Sequence, residues 1–505
     1  MPIIGKLIKK GSALSHKINE ARGKEYTKQL LTLKKLVSFA KHTQFGFAHS
    51  FNEILNNADF VSSFQKKTPL TEYDEFYNKW LYKSIAGEKE IIWPGRIKYY
   101  ALSSGTTGSP SKRIPVTEKM IRSFQKTSIR QLSTLHEIDL PDVFFSSQVL
   151  TVGGSSRLTK KKTHIEGDLS GILKKHTSLI ATPFTKPGIR ISNIKDWNKK
   201  IELIVQNAPK WNIGIIAGIP SWCLMLMEKI INRYNLKTIH DIWPNLQVYV
   251  HGGVYMDPYI DKLNAMSEKR IYLLDTYLAS EGYFAFQKSI HRKGMKLLLD
   301  SGIFYEFIPF NSDYFNEEGV LIDKYKALTL SQIEEGIDYA LVISTNAGLW
   351  RYIIGDLIRF VNIEERELII TGRITQFLSI CGEHLSLENI NEAVLNISKK
   401  NKLEIIEFTI FADEEKLNHC WYIASNKEID SKQTSEMLDR ELSVLNDDYK
   451  SARKYTLGKP KVKVLSEKVF YTYLNSLGKI GAQNKFPRVL NKPQAKKWKK
   501  FIKSL

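Results

Sequence analysis

Cysteine is scarce. The three residues in 505, Cys223, Cys381 and Cys420, lie far apart and form no Cys-x-x-Cys pair. That argues against a disulfide framework and against a zinc site, and it suits a reducing compartment, the cytoplasm. Long apolar runs are also missing. The longest, around Ile213 to Met227, is broken by Pro220 and falls short of the roughly 20 residues that cross a bilayer. The first 26 residues hold no apolar centre long enough for a secretory signal. No internal repeat and no low-complexity block interrupts the chain. Acidic side chains are the minority, 53 against 74 basic ones, for a net charge of +21.

Such a charge fits a nucleic-acid patch, a membrane-surface face or a lysine-rich surface. The lysines are spread along the whole chain, which favours the third reading. Neither a nucleic-acid partner nor a membrane span is expected, and positive potential would draw phosphates and carboxylates. With 43% hydrophobic and 25% charged residues the composition is that of a soluble globular protein. At 505 residues it exceeds what one core usually organises, so two domains or one subdivided domain is expected.

Residues 15–60 read as helical, with Leu30, Leu31, Leu33, Leu36 and Val37 as the apolar stripe and the pattern continuing through Phe51 and Ile54. From there to residue 280 short apolar runs alternate with helical patterns. Strands are expected at 213–218, 246–253 and 271–280, with helices at 221–234, where Ser221 is a candidate cap, and at 257–266. That alternation predicts an α/β fold with a largely parallel core sheet. After Leu297 the chain is richer in strands. Beyond Arg373 a smaller α+β domain follows, with strands at 407–413 and 420–426 and a helix at 435–445. The boundary is placed at 373, giving a large domain over 1–373 and a small one over 374–505. The basic tail, residues 491–505, spaces Trp498, Phe501 and Ile502 as one helix face and reads as a terminal docking helix.

A strand end at Tyr99–Leu102 runs into Ser103, Ser104, Gly105, Thr106, Thr107, Gly108 and, after Ser-Pro-Ser, Lys112. Glycines let several backbone N–H groups turn toward one point, hydroxyls add donors and a lysine adds charge, which suits a bound phosphate chain. The Walker A spacing is absent, and an ordinary surface loop has the same composition.

SSGTTGSPSK resembles the phosphate loop of the adenylate-forming superfamily, and the later motifs keep that superfamily's order: TYLASEG at 276–282, WRYIIGD at 350–356, and TGR to GEH at 371–384. HTQFGFAHSF, HGGV, YLASEG, FYEFIP and GAQNKFPRV are closer to one branch, the Gretchen Hagen family of acyl-acid amido synthetases, and the resemblance spans nearly the whole chain. It implies a large adenylate-forming domain of mixed and parallel sheets with helices and a β-rich subdomain, followed by a mobile small domain hinged near residue 375. Thr375 and Gln376 depart from the Asp or Lys that many relatives carry there.

The resemblance also implies site roles. Ser103, Ser104, Gly105, Thr106, Thr107, Gly108 and Lys112 would hold the phosphates of ATP. Gly252 and Gly253 would let the backbone approach adenine, Tyr277 would stack on it, and Ala279 and Ser280 would line its edge. Glu281 would bind Mg²⁺, a hard cation that prefers oxygen, where the residue alone reads as a helix-start charge. Asp356 would accept from both ribose hydroxyls, and Arg373 would contact ribose or phosphate. Arg351 is open between substrate contact and structural ion pair. Lys485 would balance charge as the acid meets ATP, with Lys479 as its rival.

The implied reaction joins a carboxylic acid to AMP and then passes the acyl group to an amine, an amino acid. Coenzyme A is the alternative acceptor, and a catalytically silent basic binding protein is the alternative class. The chemistry needs no Ser–His–Asp or Cys–His nucleophile set. The acyl pocket is expected beside the 120s helix and residues 153–175. The identity of the acid and the oligomeric state are not legible.

Overall fold

Apolar runs that end in glycine before residue 280, and β-branched and aromatic runs after it, meet in one sheet. The computed structural model describes residues 25–103, 112–153, 156–177, 181–253, 256–316, 319–374, 385–413, 415–425, 427–477 and 486–505, with Leu378, Ile380 and Glu383. Among them eleven strands form the large sheet. One half runs in the order Ile303–Pro309, Asp338–Thr345, Tyr352–Asn362, Glu367–Arg373, Met295–Leu297, Gly282–Phe286 and Tyr272–Ala279, all antiparallel. The other half continues through Val248–Gly252, Ile213–Gly218, Gln148–Val152 and Thr185–Lys186, all parallel.

The parallel strands are covered on both faces, as βαβ crossovers require. Trp197–Asn207 and Pro220–Tyr234 bury Ile201, Leu226 and Met227 with Ile213 and Ile216, while Leu135 to Phe145 pack against Ile215 and Val248. The antiparallel half takes its cover from the N-terminal helices. Glu25–Ala40 and Phe51–Asn56 contribute Leu33, Leu36, Val37, Phe51 and Ile54 to the main core. Leu31 lies off that stripe and is 50% exposed. Gln29, buried, donates to the Leu299 and Ile303 carbonyls at 3.0 Å and accepts from the Tyr305 N–H at 2.9 Å, so the helix satisfies a sheet edge that would otherwise be unpaired.

Ser221 does not cap its helix. The helix starts at Pro220 with Ile219 in the cap position, where the missing proline N–H costs nothing because the first turn has no partner for it.

The smaller C-terminal part is a three-stranded sheet, Glu407–Asp413, Asn418–Ala424 and Lys461–Leu465. Leu387–Asn401, Ser431–Leu445 and Asp447–Tyr455 cover one face, and Glu467–Ser476 and Lys492–Lys503 cover the other. The basic tail is a docking helix: Trp498 is fully buried against Phe470, Tyr473 and Phe486, and Asn491 and Gln494 form its capping box. The fold is therefore α/β with a mixed large sheet and a smaller α+β part. No helix among the described residues is long and apolar enough to cross a membrane.

Candidate active site

The strands that carry the WRYIIGD and TGR motifs are neighbours, and their register sets Asp356 opposite Arg373. Both carboxylate oxygens of Asp356 are engaged. The Tyr277 hydroxyl donates to Oδ2 at 2.7 Å and Arg373 Nε donates to Oδ1 at 2.8 Å. The carboxylate raises the Arg373 pKa further above its ordinary value. Arg373 keeps 45% of its side chain exposed, so a ligand can reach it.

Tyr277 is not a stacking surface in this arrangement. It is only 3% exposed, its ring packs on Phe284 with centroids 4.8 Å apart, and burial followed by the Asp356 charge holds its hydroxyl protonated. A ring with no open face cannot stack on a base; it orients Asp356 instead.

Glu281 sits in a two-residue hairpin turn, Ser280–Glu281, between paired Ala279 and Gly282, not at the start of a helix. The turn leaves the carboxyl buried. Burial first, then the Asp356 charge, push its pKa up to about 7, while Arg373 and Lys112 pull it down. Four groups from four segments thus share one field. Lys112 is brought there by the short sheet: Ser103 pairs with Lys112, so the two ends of the serine–threonine loop are fixed side by side. Lys112 Nζ lies 5.1 Å from the Tyr73 ring centroid, and the Tyr73 hydroxyl accepts from the Arg113 N–H at 2.7 Å. Tyr73 in turn follows Thr71, whose backbone exchanges bonds of 3.0 Å with Arg351 and Ile353. Tyr73 and Thr71 had no signal in the sequence; they join the strand that starts at Lys112 to the one bearing Asp356.

The two glycines have local reasons. A Cβ on Gly252 would meet the Thr276 carbonyl at 2.5 Å, and Gly253 has φ +80. Gly252 serves the close pairing of two parallel strands and Gly253 adopts a positive φ that favours glycine, so the structure gives no separate reason for an adenine contact. Ala279 is half-buried against the main core and Ser280 half-buried in the turn. Arg351 is structural. At 2% exposure it grips Glu306 with Nε and Nη2, at 3.0 and 2.9 Å, and gives Nη1 to the Gln65 and Thr68 carbonyls. Ser104, Gly105, Thr106, Thr107, Gly108, Thr375, Gln376, Lys479 and Lys485 lie outside the described residues.

Two carboxylates, one buried and one half-buried, with two cations close by, can hold a polyanion together with a cation. Among the described residues no three His, Cys, Asp or Glu side chains form a metal cluster. One hard oxygen donor at Glu281 fits Mg²⁺ whose remaining ligands come from phosphates and water.

The raised Glu281 pKa has a measurable consequence. The fold favours the protonated carboxyl, so the stability this adds is complete below the ordinary value of 4.5 and is lost as pH rises through about 7. The shift corresponds to about 3 kcal/mol. In urea unfolding without ligand, the wild type is expected to lose stability of that order between about pH 5 and pH 8 relative to Glu281→Gln. Identical pH dependence in the two proteins would remove Glu281 from its buried place.

The GH3 family N-terminal domain matches residues 15–187 and 137–271, the central domain 296–368 and the C-terminal domain 388–494. Indole-3-acetic acid-amido synthetase GH3.2 of Arabidopsis thaliana is 28% identical over 35% of this chain and 34% of its own length. Jasmonoyl--L-amino acid synthetase GH3.5 of Oryza sativa subsp. japonica is 26% identical over 56% of this chain and 52% of its own. The chain therefore spans about a third to a half of these curated relatives. A solved GH3.15 acyl acid amido synthetase superposes with a TM-score of 0.78 at 16% identity, over 98% of this chain and 96% of that one, which is a likeness of fold. With family domains matched from residue 15 to residue 494, the chain belongs to the GH3 family.

Proposed function

We propose that this protein activates a carboxylic acid with ATP and transfers the acyl group to an amine, an amino acid, forming an amide. The observation that carries the reading is the placement of Asp356, held through both oxygens by Tyr277 and Arg373, beside the buried carboxyl of Glu281. A carboxylate oriented in this way can accept from a ribose diol, since each oxygen keeps a free lone pair. The relatives' names support an amide product, and that of the jasmonoyl--L-amino acid synthetase supports an amino acid as acceptor.

In the first half-reaction an oxygen of the substrate carboxylate attacks the α-phosphorus of ATP, the bond to the bridging oxygen breaks and pyrophosphate leaves. The protein's part is to hold reactants in line and balance charge. Asp356 fixes the ribose, Arg373 and Lys112 offset phosphate charge, and the loop 104–111 supplies N–H and hydroxyl donors. Mg²⁺ held at Glu281 would neutralise phosphate charge. Lys485 is our choice for the cation at the reacting centre, with Lys479 second. In the second half-reaction the amine nitrogen attacks the acyl carbonyl carbon, AMP leaves with the bonding pair, and the amine gives up a proton. A small domain over 374–505, turning about residue 375, would clear the path for the acceptor. The acyl group is placed beside helix Glu118–Leu132 and residues 153–175. Free Cys223 and Cys420 are consistent with a cytoplasmic setting.

The test is product analysis. The protein is incubated with ATP, Mg²⁺, an acid panel and either amino acids or coenzyme A. Amide and AMP in equal amounts support the proposal. Thioester without amide would make it an acyl-coenzyme A ligase. Salt-sensitive nucleic-acid binding with no AMP released would make it a binding protein.

A further inference from the structure

A short strap after Lys485 ties the two parts of the molecule together. Its backbone joins the C-terminal sheet: the Ile410 N–H donates to the Arg488 carbonyl and the Leu490 N–H to the Ile410 carbonyl, both at 2.8 Å, and Thr409 Oγ1 donates to the Pro487 carbonyl at 2.8 Å. Phe486 anchors its start, with ring centroids 4.8 Å from Phe470 and 5.0 Å from Trp498. The strap is therefore a rigid part of the small domain.

The Arg488 side chain reaches across to the large domain. Its guanidinium pairs with Glu407, lies 4.3 Å from the Phe408 ring centroid and donates from Nη1 to the Phe408 carbonyl at 3.0 Å. Those partners are in its own domain. The remaining arm, Nη2, donates 3.2 Å to the hydroxyl of Tyr259 in the large domain. Tyr259 is buried on helix Asp257–Ala265, which follows the Gly252–Gly253 turn at the carboxyl ends of the parallel strands. Beside this contact Tyr471 packs on Trp222 with centroids 5.9 Å apart, again small domain on large. A buried guanidinium needs its N–H groups satisfied, so the tyrosine hydroxyl is specified by the site and not by general packing.

We infer that Tyr259 is a positioning residue. Through Arg488 it sets where the strap, and the small domain with it, stands relative to helix Asp257–Ala265, and because the strap directly follows Lys485 in the sequence, the cation proposed for the activation step, this orientation serves acid activation and not acyl transfer. The assignment of a half-reaction rests on the proposed function; the latch itself does not.

Tyr259→Phe in the full chain tests it, since the ring stays and only the hydroxyl goes. The rate constant for acid-dependent ATP–pyrophosphate exchange is expected to fall about ten-fold, the worth of a hydrogen bond to a charged group. KM for ATP should stay within about two-fold, and discharge of pre-formed acyl-adenylate by the amine should be unchanged. In solution scattering the ligand-free variant should show a larger radius of gyration than the wild type. Equal loss in both half-reactions would mean a merely structural tyrosine and overturn the inference, as would unchanged exchange. If no acid supports exchange in the wild type, the proposed function fails and scattering alone decides the latch, an unchanged radius refuting it.

Discussion

Asparagine in place of Asp356 is expected to lower acid-dependent ATP–pyrophosphate exchange by at least about a hundred-fold. The substitution keeps the side-chain shape and removes the charge that Arg373 and the Tyr277 hydroxyl are arranged around. Hydrogen bonds to a charged group contribute roughly 1.5–3 kcal/mol each, and two of them to a ribose diol would be weakened together. The fold should tolerate the change, because the Arg373 side chain is about half exposed and water can reach it. Thermal unfolding run beside the kinetics separates the two effects. A variant within about three-fold of wild-type exchange would place the nucleotide elsewhere.

Arg351 is expected to behave in the opposite way. Methionine there should destabilise the protein by roughly 3–5 kcal/mol, because Glu306 would remain as a buried carboxylate without its cation. Removing both charges, as Arg351→Met with Glu306→Leu, should recover much of that loss. The protein that stays folded should keep its KM for ATP, since all three guanidinium nitrogens are committed to Glu306, Gln65 and Thr68. Urea unfolding of the single and double variants checks this. A raised KM at unchanged stability would return Arg351 to the substrate.

These two residues belong to one motif, and that shows how far sequence reasoning reaches here. The β-prone runs after Leu297 were readable because buried strands are short and bounded by turns, but the pairing of Asp356 with Arg373 and the place of Arg351 just before the strand Tyr352–Asn362 came only from the structure. Which arginine keeps an exposed side chain and which is committed to the core was not readable. Arg351 has φ +41, a backbone state that redirects the side chain to Glu306 and that no local pattern announces. Glu281 was recognised from its motif, yet its hairpin setting depends on pairing with Gly282–Phe286. The stacking part given to Tyr277 failed for a similar reason: the motif names an aromatic ring but not which face the core has already covered. Tyr73 and Tyr259 lacked any signal because their contacts join segments far apart in the chain. Ser221, by contrast, failed as a cap for a purely local reason, proline occupying the first helical position one residue earlier.

The proposed chemistry requires a single cleft in which AMP is joined to an acid. Isotope exchange between pyrophosphate and ATP, measured across a panel of carboxylic acids with no acceptor present, tests that directly. Exchange that appears only with certain acids, and disappears in Asp356→Asn, is the predicted result. ATP turnover indifferent to every acid, or exchange that survives loss of the Asp356 charge, would contradict it.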